Sequence, residues 1–146
     1  MLSEAIEILY VEDDPSDIEL TLLSFKEAAL TNSIHIARDG AEALDFLFCR
    51  GPQAGKDFFA PRLVLLDLKL PKLSGLEVLQ AIRGDERTRT IPVVVLTSSR
   101  EQRDLVDSYK LGVNSYIQKP VDFEQFNQTI RQMGMYWLVV NKVPEP

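Results

Sequence analysis

Short runs of aliphatic residues alternate along the chain with stretches whose apolar positions recur every three or four residues. The runs predict strands over 6–12, 33–37, 62–67, 91–97 and 113–117. In three of them (Ile8 to Val11, Leu63 to Leu66, Val93 to Leu96) the apolar residues are continuous, as expected of strands covered on both faces of a parallel sheet. The second, with His35 between Ile34 and Ile36, alternates instead and suits a sheet edge.

Helix starts stand out between the strands. Asp14-Pro15-Ser16-Asp17 supplies an acidic N-cap and a proline at the first helical position, ahead of Ile18, Leu22, Phe25 and Ala29 on one face. Asp39/Glu42 and Ser74/Glu77 have capping-box spacing, followed by the stripes Leu44, Leu47, Phe48 and Val78, Leu79, Ile82. A fourth helix is predicted from Ser98 or Ser99 to Lys110, closed by Gly112. A fifth opens at Asp122 and carries Phe126, Ile130, Met133 and Trp137 on one stripe. Five strand–helix units of about 29 residues suit βαβ construction with right-handed crossovers. The expected fold is a three-layer α/β/α domain: a doubly wound, parallel five-stranded sheet of flavodoxin-like topology, strand order 2-1-3-4-5. A single domain is expected over 1–146. Two segments stand outside the regular pattern, an extended loop at 49–61 and a C-terminal tail at 134–146.

Composition narrows the function classes. Apolar residues at 45% and charged residues at 26% describe a globular chain, not a disordered one. No apolar run approaches the roughly 18 residues of a membrane span, and the first ten residues hold Glu4 and Glu7 but no basic region of a secretory signal. A cytoplasmic protein is therefore expected. The single cysteine, Cys49, leaves no disulfide framework and no Cys-rich zinc site. With 16 Lys and Arg against 22 Asp and Glu, the net charge of -6 argues against binding to nucleic acid through its phosphates.

In an open α/β sheet, ligands bind beyond the carboxyl ends of the strands. The first strand here ends in Glu12, Asp13 and Asp14, the third in Asp67 and the fourth in Thr97, and Lys119-Pro120 follows the fifth. Carboxylates converging on one rim repel each other and resist ionisation. Lys119 offers one compensating charge, which leaves an excess. A hard divalent cation with oxygen ligands is the natural remedy, and Mg²⁺, holding several waters and one or two carboxylates, suits it best.

These motifs resemble those of the receiver domains of two-component response regulators, over about 6–133. The resemblance rests on Tyr-Val-Glu12-Asp13-Asp14, Leu-Leu-Asp67-Leu-Lys-Leu-Pro71 with Gly75, Leu-Thr97-Ser-Ser and Tyr116-Ile-Gln-Lys119-Pro120, with gaps of 30 from Asp67 to Thr97 and 22 from Thr97 to Lys119. It implies Asp67 as phosphoacceptor, a carboxylate nucleophile forming an aspartyl phosphate. It implies Asp13 as a direct ligand of Mg²⁺ and Glu12 as a ligand through water, with Asp67 and the backbone carbonyl of Lys69 completing the protein's share. Lys119 and the metal would neutralise the transferring phosphoryl group, and Thr97 would hydrogen-bond it after transfer. Tyr116 matches an aromatic position that turns inward as the Thr97 loop closes, linking chemistry to the face of the fourth helix, fifth strand and fifth helix. Lys69 and Ser99 match positions that modulate hydrolysis of the aspartyl phosphate, and the Lys119–Pro120 peptide matches one that is often cis. The loop and tail are similar to the short receivers associated with bacterial and cyanobacterial phytochromes. That likeness implies a histidine kinase of phytochrome type as donor, an unidentified downstream protein, and a homodimer paired through the fourth-helix to fifth-helix face and the tail. It also implies a receiver that phosphorylates and dephosphorylates itself, not an enzyme acting on a separate substrate.

Plainer readings stand beside these. Asp14 is explained by N-capping alone. His35 is expected to be a surface side chain, Cys49 a small, partly buried residue at a helix end, and Tyr116 could serve only packing. Met133, Met135, Tyr136 and Trp137 fit either a continued core stripe or a partner surface. A phosphohydrolase with an Asp nucleophile would need an acid/base two residues after Asp67, where Lys69 stands. An FMN carrier would need a hydroxyl- and glycine-rich phosphate loop where the first strand ends in three carboxylates. A receiver used only for docking would not need the full set of groups present.

Overall fold

The computed structural model describes residues 7–144. Five strands, β1 (Ile8–Val11), β2 (Ile34–Ala37), β3 (Leu63–Leu66), β4 (Val93–Thr97) and β5 (Ser115–Gln118), alternate with α1 (Pro15–Glu27), α2 (Gly40–Leu47), α3 (Gly75–Gly84), α4 (Gln102–Lys110) and α5 (Phe123–Met135). All strand pairs are parallel and the sheet order is β2-β1-β3-β4-β5. This is the doubly wound, flavodoxin-like arrangement expected from the sequence.

Strand alternation divides the interior into two cores. Leu9, Val11, Val64, Leu66, Val93 and Val95 face α2 and α3, where they meet Leu44, Leu47, Val78, Leu79 and Ile82. Ile8, Tyr10, Leu63, Leu65, Val94 and Leu96 face α1 and α5, where they meet Ile18, Phe25, Phe126, Ile130 and Met133. Both faces of β1, β3 and β4 are therefore fully buried, which is why these strands read as unbroken apolar runs.

The caps act as their sequences predict. Asp14 accepts hydrogen bonds from the amides of Ser16 at 2.9 Å and Asp17 at 3.4 Å, Asp39 accepts from Glu42 at 2.7 Å, and Ser74 from Glu77 at 3.3 Å.

Other boundaries differ for local reasons. The strands are shorter than predicted, and the predicted start at Ile6 lies outside the described residues. β5 begins at Ser115 because Val113 and Asn114 form the turn into it, with the Asn114 side chain accepting from the Val93 amide at 2.8 Å. α4 starts at Gln102, not at Ser98 or Ser99, since Ser99 is held by side-chain hydrogen bonds that keep this stretch a loop. His35 is half-buried, not a surface side chain: its ring stacks on Phe46 at 4.0 Å and its Nε2 is buried without a hydrogen-bond partner. The described residues contain no cis peptide, so Lys119–Pro120 is trans.

The two irregular segments also have structure. Beyond α5 the tail continues as a π-helical turn, Tyr136–Val140, with Leu138 buried and Trp137 packed on the α1/α5 core. Met135, Tyr136, Val139 and Val140 remain exposed. The 49–61 loop contains a 3₁₀ turn, Gly51–Gln53, and is tied down by Arg87, whose guanidinium lies 5.2 Å over Phe48 and 5.3 Å over Phe58.

Candidate functional site

Glu12 follows the last residue of β1, Asp67 follows β3, and Thr97 ends β4, so the parallel register delivers all three to one rim. Ligand oxygens of Glu12, Asp13 and Asp67 lie within 4.8 Å of one another. Glu12 and Asp67 are buried, at 1% and 5% exposure, while Asp13 faces solvent.

Each group is held in place. One oxygen of Asp67, Oδ1, accepts from the amide of Leu68 at 2.7 Å and of Lys69 at 3.4 Å, while Oδ2 faces the Lys119 ammonium at 3.6 Å. Lys119 reaches the cluster because its amide donates to the Thr97 carbonyl at 2.7 Å, extending the β4–β5 pairing to the rim. Its Nζ donates to Glu12 Oε1 at 2.6 Å and to Asp17 Oδ2 at 2.6 Å. Glycine at 75 permits this geometry from below: a Cβ there would strike the Asp67 carbonyl and lie 2.6 Å from Leu68 Cα.

Electrostatics follow from burial. Loss of solvent and the facing Asp67 carboxylate push Glu12 well above the usual carboxylate range, and Lys119 draws it partly back. Burial opposes the charge on Lys119, but its hydrogen bonds to Asp17 and Glu12 outweigh this and hold the ammonium form. One cation thus faces Glu12, Asp17 and Asp67, with Asp13 beside them. The remaining negative charge, carried on hard oxygen donors, fits a divalent cation held by Glu12, Asp13 and Asp67.

The remaining expected residues are close but engaged elsewhere. Thr97 is fully buried, and its hydroxyl accepts from the Ser99 amide at 3.2 Å. The side chain of Lys69 turns away from the carboxylates to Asp104, 3.5 Å distant. Tyr116 is half-buried, with its hydroxyl 3.5 Å from the Ser99 carbonyl. Two further residues at the site carry no distinct signal in the sequence. Asp17 reads as an ordinary helix-start acid, although one turn beyond Asp14 it points back to the rim. Asp104, in the first turn of α4, is buried and bonds both Ser99 and Lys69.

An acidic rim with one buried lysine on a 2-1-3-4-5 parallel sheet defines the receiver class of signalling domain. The chain belongs to the response regulator receiver domain family, which matches residues 8–131. It is 44% identical over 139 residues to the probable methanogenesis regulatory protein FilR2 of Methanothrix harundinacea, covering 95% of this chain and 88% of that protein. Among solved structures it is similar to the phosphorylated cyanobacterial phytochrome response regulator RcpA, with TM-score 0.87 and 35% identity over 97% of this chain and all of the other. The Mn²⁺-bound form of response regulator Rcp1, from Synechocystis sp., also gives TM-score 0.87, at 36% identity over 94% of this chain and 98% of that one. This is therefore a two-component receiver related to Rcp1. No helix among the described residues is long and apolar enough to cross a membrane.

Proposed function

We propose that this chain is a cytoplasmic response regulator, a single receiver domain over 1–146, that accepts a phosphoryl group from a histidine kinase onto Asp67. The carrying observation is the buried Asp67 carboxylate, fixed by two backbone amides beside Glu12, Asp13 and Lys119. An Asp67 oxygen forms the bond to phosphorus as the phosphorus–nitrogen bond of the donor imidazole breaks, and that nitrogen is left to take a proton from water. Asp13 and Asp67 would hold Mg²⁺ directly, Glu12 through water, and the Lys69 carbonyl would complete the protein ligands. The bound metal would supply charge neutralisation for the phosphoryl oxygens. Lys119 supplies the protein's own share of that neutralisation. Thr97, whose hydroxyl accepts from the Ser99 amide, donates its proton to a phosphoryl oxygen, which moves the loop that Tyr116 touches.

The output is a protein contact. Val106 and Tyr109 on α4, Val121 just before α5 and Phe123 in its first turn are exposed apolar residues, as are Tyr136, Val139 and Val140 in the tail, which supports a homodimer that uses the fourth-helix to fifth-helix face and the tail. The likeness to RcpA, a cyanobacterial phytochrome response regulator, supports a phytochrome-type kinase as donor. The test is phosphotransfer from such a kinase, autophosphorylated with labelled ATP, to the wild type and to Asp67→Asn. Label should move to the wild type alone. Label that stays on the kinase, or reaches both chains, contradicts the reading.

A further inference from the structure

The Lys119 ammonium is shared unequally. Its two short contacts, both 2.6 Å, go to Glu12 and Asp17, and Asp67 receives the long one at 3.6 Å. Glu12 belongs to the acidic pair at the end of β1. Asp17 does not; it stands in the first turn of α1, and its carboxylate is 25% exposed while the lysine it binds is 8% exposed. An acid in the first turn of a helix is commonplace, and favourable contact with the helix dipole would explain it. That explanation does not account for its side chain closing on a buried amine more than a hundred residues away. The turn is itself fixed from beneath, since the buried Tyr10 hydroxyl lies 3.4 Å from the Asp17 carbonyl and donates to Thr21 at 3.0 Å.

From this geometry we infer that Asp17 is a positioning residue that holds Lys119 on the α1 side of the site and competes with the phosphoryl group on Asp67 for its charge. The inference rests on Asp67 being the phosphoacceptor. For the ammonium to reach a phosphoryl oxygen on Asp67 it must lengthen or give up its contact with Asp17. The α1 carboxylate thereby stabilises the unphosphorylated arrangement, and a ligand that draws the lysine towards Asp67 works against it. The same carboxylate adds negative charge near the metal ligands and shares the lysine that would otherwise oppose a cation. Its removal therefore has opposite effects on the two ligands, tighter for the phosphoryl group and weaker for the metal.

The test measures beryllofluoride binding in saturating Mg²⁺, as a phosphoryl stand-in, and separately Mn²⁺ binding by electron paramagnetic resonance, in wild type and Asp17→Asn. Asp17→Asn should bind beryllofluoride roughly fivefold more tightly, at the low end of coupling between linked sites, and Mn²⁺ more weakly. The gain should vanish in a Lys119→Gln background, because the effect passes through the lysine. Glu19→Gln, a neutral replacement of an exposed acid on the same helix, should leave both affinities unchanged. Unchanged or jointly weakened affinities in Asp17→Asn overturn the inference, as does an equal effect of Glu19→Gln or a gain that survives loss of Lys119. A wild type that binds no beryllofluoride at all overturns the phosphoryl reading itself, and this inference with it.

Discussion

The hydroxyl of Ser99 donates to the carboxylate of Asp104 at 2.5 Å, closing the loop after β4 onto the first turn of α4. Lys69 reaches the same carboxylate oxygen at 3.5 Å, and Glu101 donates its amide to Ser99 at 3.3 Å. The segment that carries Thr97 is thus latched through a buried acid. Asp104→Ala removes the acceptor and leaves the Ser99 hydroxyl buried. We expect a loss of about 1–3 kcal/mol, the range for stranding a buried hydrogen-bonding group, read from urea unfolding. A change near zero would mean the latch is dispensable.

Gly75 allows α3 to start against the backbone that carries Asp67. Gly75→Ala puts a methyl group onto the Asp67 carbonyl and Leu68 Cα, backbone that cannot turn aside. The expected cost is about 1–3 kcal/mol of overpacking, with weakened Mn²⁺ binding because the Asp67 carboxylate is displaced. Thermal melting and a metal titration check both. Normal metal binding in the folded variant would show that Asp67 is not positioned from below.

His35 makes stability depend on pH. Burial lowers its pKa below the ordinary 6.5, with Glu42 opposing the shift in part. Between the two values the unfolded chain takes up a proton that the folded chain refuses, so stability is fully retained above about 6.5 and falls as pH drops from there through the lowered value. His35→Phe keeps a ring against Phe46 and removes the titration. Its stability should therefore fall less between pH 7 and pH 5 than that of the wild type, measured by denaturant unfolding at each pH. Parallel curves would contradict this account of His35.

Much of the fold and the site is legible in the sequence because each rests on a short-range signal. Unbroken apolar runs mark β1, β3 and β4, and Asp14, Asp39 and Ser74 mark α1, α2 and α3. The rim residues follow from strand ends, which parallel pairing brings together regardless of loop detail. What the sequence hides depends on tertiary contacts. The start of α4 slips because Ser99 finds a partner in Asp104, five residues on. His35 sits inward because Phe46, on the neighbouring helix, offers a ring to stack on. The 49–61 loop lies down because Arg87, in the turn after α3, lies over the rings of both Phe48 and Phe58. Asp17 looks like any helix-start acid until Lys119 is seen beside it.

The most direct test of the central claim is intact mass after incubation with acetyl phosphate, for wild type and Asp67→Asn, with Mg²⁺ or with EDTA. One phosphoryl group should be added to the wild type in Mg²⁺, and none to Asp67→Asn or in EDTA. Addition that survives loss of Asp67 or of the metal, or no addition to the folded wild type in Mg²⁺, would contradict the assignment of this rim as a metal-dependent phosphoacceptor site.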